Sequence, residues 1–254
     1  MRELTVNVEG LIFSGMRGPF AIGPDGFDGW DDGVEMRVTD MPRPQAHFSY
    51  DLPVFAGSRI VNLTGYVLAT SVAELEQLSD RVTGLLAGGQ KGRIVVTKNG
   101  RTRWADCRLA TQTKFTERHG QPTGDFQIQL WCADGRKYGE SRDFVRTNGT
   151  VSVFHRGNFN AHPTVVVRGS AANGYRLNGP GGKQYKVSRP LVTGLPHRIE
   201  FNDGRLRVNG TLVSTGTDSA DIWPVPPGQA VDFDINVING GTAEATITIL
   251  DTYI

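Results

Sequence analysis

Five histidines, two cysteines and a few acid-rich turns are the residues here whose types could do chemistry, and their spacing argues against most of it. His47, His119, His155, His162 and His197 are scattered. His155 and His162 stand seven positions apart across a turn, not at the two- or four-residue spacing that presents two imidazoles to one metal. Cys107 and Cys132 lie on separate strand-like runs with no secretory context, so they read as small apolar residues on a sheet. No Gly-x-Ser-x-Gly elbow and no Cys placed beside a His offers a nucleophile. Asp25, Asp28, Asp31 and Asp32 crowd one loop, but the alternation and trailing Glu of a calcium loop are missing, so it reads as a solvated turn. Gly179-Pro-Gly-Gly-Lys-Gln184 has a phosphate loop's flavour. Leu177 stands where its first glycine belongs, however, and Gln184 where a Ser or Thr should be, so it reads as a turn between strands. Glu200 and Asp203 are the one close carboxylate pair at a strand end; glycoside hydrolysis needs two carboxylates facing one groove. No catalytic residue, metal ligand or cofactor is assigned.

Sugar binding is the more serious rival. Trp223, Tyr175 and Tyr185 are available for stacking, and Trp223 sits in the proline-stiffened Asp221-Ile-Trp-Pro-Val-Pro-Pro-Gly228. The competing reading is that Ile222 and Trp223 plug the end of a β-sandwich. Exposure of Trp223 beside polar side chains supports a carbohydrate contact, and its burial removes it.

The elements that would position these residues are mostly strands. A formal net charge of +1 over 254 residues provides no field for holding nucleic acid or a membrane surface. Met1-Arg-Glu-Leu-Thr-Val enters strand alternation without an apolar leader, and no run reaches a membrane span, so a soluble chain made in the cytoplasm is expected. Six Asn-Gly pairs among 32 glycines predict hairpins, because a type I′ turn needs positive φ at both central residues.

Leu4, Val6 and Val8 alternate before a break at Glu9-Gly10 and a second run, Leu11-Ile-Phe13. Residues 15–33 read as loop, Val34–Thr39 as a short strand, 40–58 as an ordered loop or edge segment, and Ser58–Ala69 as a strand. Ser71 and Glu74 form a capping box. Val72, Leu75, Leu78, Val82, Leu85 and Leu86 then make one apolar helical stripe that Gly88-Gly89 should end. A hairpin through Asn99-Gly100, a strand at Phe126–Cys132 and a charged linker to about Asn148 complete the first half. Thr150–Gly169 reads as two strands joined at Gly157-Asn158, with Pro163 at the entry of the second. Val165–Val167 suggests a strand covered on both faces.

Further strands are predicted at Gln184–Val187, His197–Asn202, Arg205–Asn209, Val231–Ile238 and Ala245–Leu250, with a meander over 197–213. The expected fold is mainly β, in two domains. Residues 1–142 form a sandwich or barrel-like domain with one helix packed on it, and 143–254 a jelly-roll β-sandwich.

Arg59-Ile-Val-Asn-Leu-Thr-Gly-Tyr-Val67, followed by Ser71 and the helix, resembles the N-terminal domain core of siphophage distal tail proteins. Leu130-Trp-Cys-Ala-Asp-Gly-Arg-Lys-Tyr-Gly139 is similar to that domain's end, with Asp134-Gly135 where the family often has Asp-Pro. Thr150–Gly169, the meander at Asn202-Asp-Gly204 and Ile222–Gly228 resemble its galectin-like C-terminal domain. The resemblance implies a structural protein of the virion's tail tip, assembled in the host cytoplasm. Its N-terminal domains would pair into a homohexameric ring joining the tail tube protein to the tail-associated hub protein. DNA would pass through the channel without specific binding. Tape measure and receptor-binding proteins are further implied partners in host attachment. The C-terminal domains would decorate the outside; some relatives carry inserted carbohydrate-binding modules, and no insertion is seen here. The residues of the interfaces are not assigned.

Overall fold

The computed structural model describes residues 4–15 and 18–254, so the leaderless Met1–Glu3 reading lies outside the described residues. Contacts divide the chain into two units, the first running to Lys137 and the second from Tyr138 to Tyr253. The chain is mainly β with one α-helix.

In the first unit, β1 (Leu4–Val8) and β2 (Leu11–Ser14) form a hairpin across the Glu9-Gly10 break. Then come β3 (Phe20–Asp28), the two-residue β4 (Met36–Arg37) and β5 (Phe55–Ala56), and β6 (Arg59–Leu68). After α1 (Val72–Thr83) follow β7 (Gly92–Lys98), β8 (Arg101–Leu109), β9 (Lys114–Glu117) and β10 (Thr123–Cys132). The order β8-β7-β1-β2-β3-β6-β10 closes on itself, because β10 also pairs with β8 through Leu130↔Leu109 and Trp131↔Arg108. The result is a seven-stranded barrel, mixed because β2 meets β3 in parallel at Ser14↔Ala21. Alternate residues Val6, Val8, Val61, Leu63, Ile94, Val96, Ile128 and Leu130 point inward and are fully or almost fully buried, as the two-residue period of a strand requires.

Two expectations change here. Phe20–Asp28 is a strand, not a loop: it pairs with β6 from Phe20↔Val67 to Ile22↔Gly65, bulges, and resumes at Phe27↔Leu63. The glycines that looked like loop markers permit close backbone contact; a Cβ on Gly26 would lie 2.2 Å from the Thr64 carbonyl oxygen. Of Val34–Thr39, only Met36–Arg37 is strand.

Helix α1 starts where the sequence puts it. Ser71 Oγ accepts from the Glu74 N–H at 3.2 Å, while the Glu74 carboxylate turns back to the Thr70 N–H at 2.7 Å. It ends earlier than expected, at Thr83, with the Gly84 N–H bonded to Asp80 O. Leu85 and Leu86 are adjacent, about 100° apart on a helix. The chain buries both by leaving the helix, and Leu86 takes φ +54°. Leu75, Leu78 and Val82 face the core, but Val72 is 63% exposed and leaves the stripe. The helix packs on β6, β9 and β10.

The second unit is a two-sheet sandwich. Its strands are β11 (Lys137–Thr147), β12 (Gly149–Val153), β13 (Thr164–Ser170), β14 (Tyr175–Asn178), β15 (Gln184–Val187), β16 (His197–Glu200), β17 (Arg205–Val208), β18 (Thr211–Val213), β19 (Thr217–Ala220), β20 (Val231–Val237) and β21 (Thr242–Tyr253). One sheet runs β18-β17-β16-β13-β21-β11 and the other β12-β20-β14-β15-β19. The core takes Val165, Ile199 and Ile247 from the first and Tyr175, Tyr185 and Phe233 from the second.

The supposed linker is strand β11, whose exposed charged residues hide its period. Arg142 pairs with buried Asp251, and Thr248 Oγ1 donates to Asp143 at 2.6 Å. Thr150–Gly169 is not a hairpin, since β12 and β13 belong to opposite sheets. Gly157 instead lets the chain press on β21, where a Cβ would sit 1.9 Å from the Thr252 carbonyl oxygen. Val166 is only half-buried, so β13 is not covered equally on both faces. Of the six Asn-Gly pairs, Asn99-Gly100 and Asn209-Gly210 close two-residue hairpins with positive φ at both residues.

Candidate assembly surface

Between β3 and β6 the chain leaves the barrel as an arm that folds back on itself. Its legs meet at Met36↔Ala56 and Arg37↔Phe55, then at the Pro42↔Ser49 bridge. Near the turn, the Arg43 N–H donates to Phe48 O at 3.1 Å and the Tyr50 N–H to Met41 O at 2.9 Å. Pro42, Pro44 and Pro53 lack the N–H a longer ladder would need. The arm carries Met36, Val38, Met41, Phe48, Tyr50, Val54 and Phe55, all exposed; Phe48 is 87%, Val38 68% and Phe55 61% accessible. Single exposed apolar residues are ordinary, whereas a contiguous set marks an interaction surface.

Two buried cations fix the root of this arm. Arg59 Nη1 donates to the carbonyls of Gly29 (2.8 Å), Trp30 (3.2 Å) and Asp32 (2.7 Å), and its Nε to Gly135 O (3.1 Å). Lys137 Nζ donates to the same Trp30 carbonyl. Burial, then repulsion from Arg59 and Arg103, pulls Lys137 down to about 8; burial also lowers Arg59. Lys98 pairs with Asp31 on the outside. The proline-containing arm therefore leaves the barrel in a set direction, with its apolar side chains presented to solvent.

The residues the sequence singled out lie elsewhere. Trp223 is 1% exposed and wedged between Phe201 and Phe233, with ring centroids 4.8 and 5.2 Å away. It plugs the sandwich and has no face free for a sugar, which corrects the carbohydrate contact considered for it. Tyr175 and Tyr185 are buried too, bonded to His197 Nδ1 and Gly204 O. His155 accepts the Gly157 N–H at Nδ1 (3.0 Å), so its Nε2 carries the proton donated to Val225 O (3.1 Å); burial lowers its pKa. Glu200 pairs with Arg198 and Arg207, and Asp203 with Arg205. Cys107 and Cys132 are buried thiols pushed up to about 12 and about 11, mainly by burial. Gly179–Gln184 is the turn between β14 and β15. Among the described residues no acid, His or Cys cluster could hold a metal, and no helix is long and apolar enough to cross a membrane. The arm itself was missed. Its signal was a proline-broken segment carrying seven large apolar residues without a period.

This architecture has a counterpart in phage tails. The crystal structure of SPP1 Dit, described as a paradigm of the hub adsorption apparatus in phages infecting Gram-positive bacteria, matches with a TM-score of 0.77. The match covers 99% of each chain at 13% identity. The chain has the Dit fold. Chains of the phage P2 baseplate in its activated conformation match the same way. With Ca the TM-score is 0.51 at 9% identity, and with Sr 0.50 at 11%, each covering 98% of both chains. No protein-family model and no curated protein matches the sequence. The Dit fold covers barrel and sandwich together, so it accounts for the whole chain.

Proposed function

We propose that this chain is a structural subunit of a phage tail tip, acting as a distal tail protein and not as an enzyme. The observation that carries the reading is the Dit fold over 99% of both chains. The exposed arm supports it. An apolar arm that meets a different surface on the next copy is a heterologous contact, and such contacts close into rings when the rotation permits. On this reading the barrel units form a homohexameric ring through the arms. The ring joins the tail tube protein to the tail-associated hub protein and leaves a channel through which DNA passes. The second unit is the galectin-like jelly roll on the outside, and contacts with tape measure and receptor-binding proteins belong to the finished tail tip in the virion.

The test is the mass in solution by light scattering at rising concentration. A rise towards six chain masses supports the ring. A strict monomer, alone and again when mixed with the adjoining tail tube protein, overturns it.

A further inference from the structure

The barrel closes where β10 meets β8, along a short seam. Its register pairs are Leu130↔Leu109 and Trp131↔Arg108, and beyond them the Ala110 N–H donates to Gln129 O at 2.8 Å. Hydrogen-bonded and non-hydrogen-bonded pairs alternate along an antiparallel ladder. With Ala110 bonded to Gln129, Arg108 and Trp131 are the next bonded pair. One rung further, the same register sets Cys107 opposite Cys132 at a non-bonded position. Opposed Cα atoms at such a position stand about 4.5 Å apart with their side chains close, inside the roughly 4.4–6.8 Å that a disulfide spans. Arg108 and Trp131 are exposed on the outside of the barrel, so their neighbours Cys107 and Cys132 both point inward, where both are buried in the core. Each is a free thiol. A negative charge on Cys132 disfavours one on Cys107, which fits two sulfurs at close range.

We propose that Cys107 and Cys132 are a modification site, a thiol pair that oxidises to a cross-strand disulfide and staples the seam at which the barrel closes. The reduced fold holds both thiols in its core. Oxidation therefore belongs to folding, or to opening of the seam, when a small disulfide such as oxidised glutathione reaches them. Cys132 is the attacking sulfur. Arg59, its register partner on β6, favours the Cys132 thiolate against the effect of burial, whereas the charges acting on Cys107 are all negative. The Cys132 thiolate bonds to one glutathione sulfur and releases the other as a thiol. Cys107 then gives up its proton, attacks the Cys132 sulfur and releases the second glutathione. Two electrons and the two thiol protons thus pass from the protein to the oxidant. The bond closes the loop that carries β9, so it restricts the unfolded chain more than the folded one. Under reducing conditions the pair stays a dithiol. The inference rests on the seam alone and not on the tail-tip reading.

The test refolds the full chain, fully reduced beforehand, in buffers of set reduced-to-oxidised glutathione ratio. Free thiols are then trapped with N-ethylmaleimide in denaturant and counted by intact-mass spectrometry. A chain with no alkylated thiol that yields a Cys107–Cys132 linked peptide on digestion supports the pair. The bond should withstand a glutathione ratio about 30- to 1,000-fold more reducing under native conditions than in guanidinium chloride. The oxidised chain should also keep its circular dichroism and unfold at a higher denaturant midpoint than the reduced one, a gain absent from Cys107→Ala and Cys132→Ala. Two alkylated thiols after refolding in excess oxidised glutathione, glutathione adducts in place of the bond, or an oxidised chain less stable than the reduced one overturns the proposal.

Discussion

Lys137 Nζ donates to the main-chain carbonyl of Trp30 at 2.8 Å, joining positions 107 residues apart in sequence. The ammonium is buried beside Arg59, and its pKa falls from the usual 10.5 to about 8. Between those values the unfolded chain binds the proton that the folded chain has released, so stability from this group rises with pH across that window. The full shift corresponds to about 3 kcal/mol. Denaturant titrations of the wild type and Lys137→Met, compared at pH 7.5 and pH 10, should show the wild type gaining on the variant at the higher pH. A constant difference would mean that Lys137 titrates normally.

The thiols act in the opposite sense. Cys107 and Cys132 titrate near 12 and 11 in the fold against 9.0 otherwise, so their contribution is complete below pH 9 and is lost as pH rises through the folded values. Both should resist a thiol-specific disulfide reagent at pH 8 in the native protein and react once it is unfolded. Rapid labelling of the native protein would contradict this burial.

Removing the indole in Trp223→Ala should cost about 3–5 kcal/mol in chemical denaturation, from lost burial plus a cavity. Trp223→Phe should cost clearly less, because the buried Nε1 has no hydrogen-bond partner to lose among the described residues. Equal losses would mean that the nitrogen is bonded after all.

Asp251 accepts from the Arg156 N–H at 2.7 Å and pairs with Arg142, whose other partner is exposed Glu140. Asp251→Ala should therefore cost about 1–3 kcal/mol, because the Arg156 N–H loses its acceptor and half-buried Arg142 keeps only the exposed Glu140. Glu140→Ala, the exposed control, should cost less than about 1 kcal/mol. Similar values for the two would place Asp251 in solvent.

Phe48 lies near the turn of the arm with its ring in water. Phe48→Asp should leave unfolding free energy within about 0.5 kcal/mol while lowering the mass seen by light scattering at high concentration. Loss of stability with unchanged mass would show that the arm folds onto its own chain.

Much of the fold could be read from local pattern. Ser71 and Glu74 mark the helix start, Asn99-Gly100 marks its hairpin, and Leu4, Val6 and Val8 alternate as β1 does. The misses have definite causes. In β3, Gly23 and Gly26 sit at a bulge inside a strand, where they look the same as loop glycines. In β11, the exposed residues Glu140, Ser141, Arg146 and Thr147 carry no apolar period because that part of the strand faces water. Strand β19, Thr217–Ala220, carries no large apolar residue, so it offers no period to read. Leu85 and Leu86 extended an apolar stripe past the point where the chain stops being helical. The burial of Trp223 was one of two stated alternatives, and only the packing of Phe201 and Phe233 decides between them. The arm was invisible as a site because exposure is a property of the folded chain; Met41 and Phe48 look the same in sequence as core residues.

Closure of the barrel also limits how copies can grow into larger bodies. Its seven strands satisfy one another around the ring, so a neighbour cannot be added to it as one more rung. The arm's own ladder, Met36–Arg37 against Phe55–Ala56, is too short to template a strand from another chain. Closure thus removes the barrel's own strands as templates for strand-by-strand growth between copies.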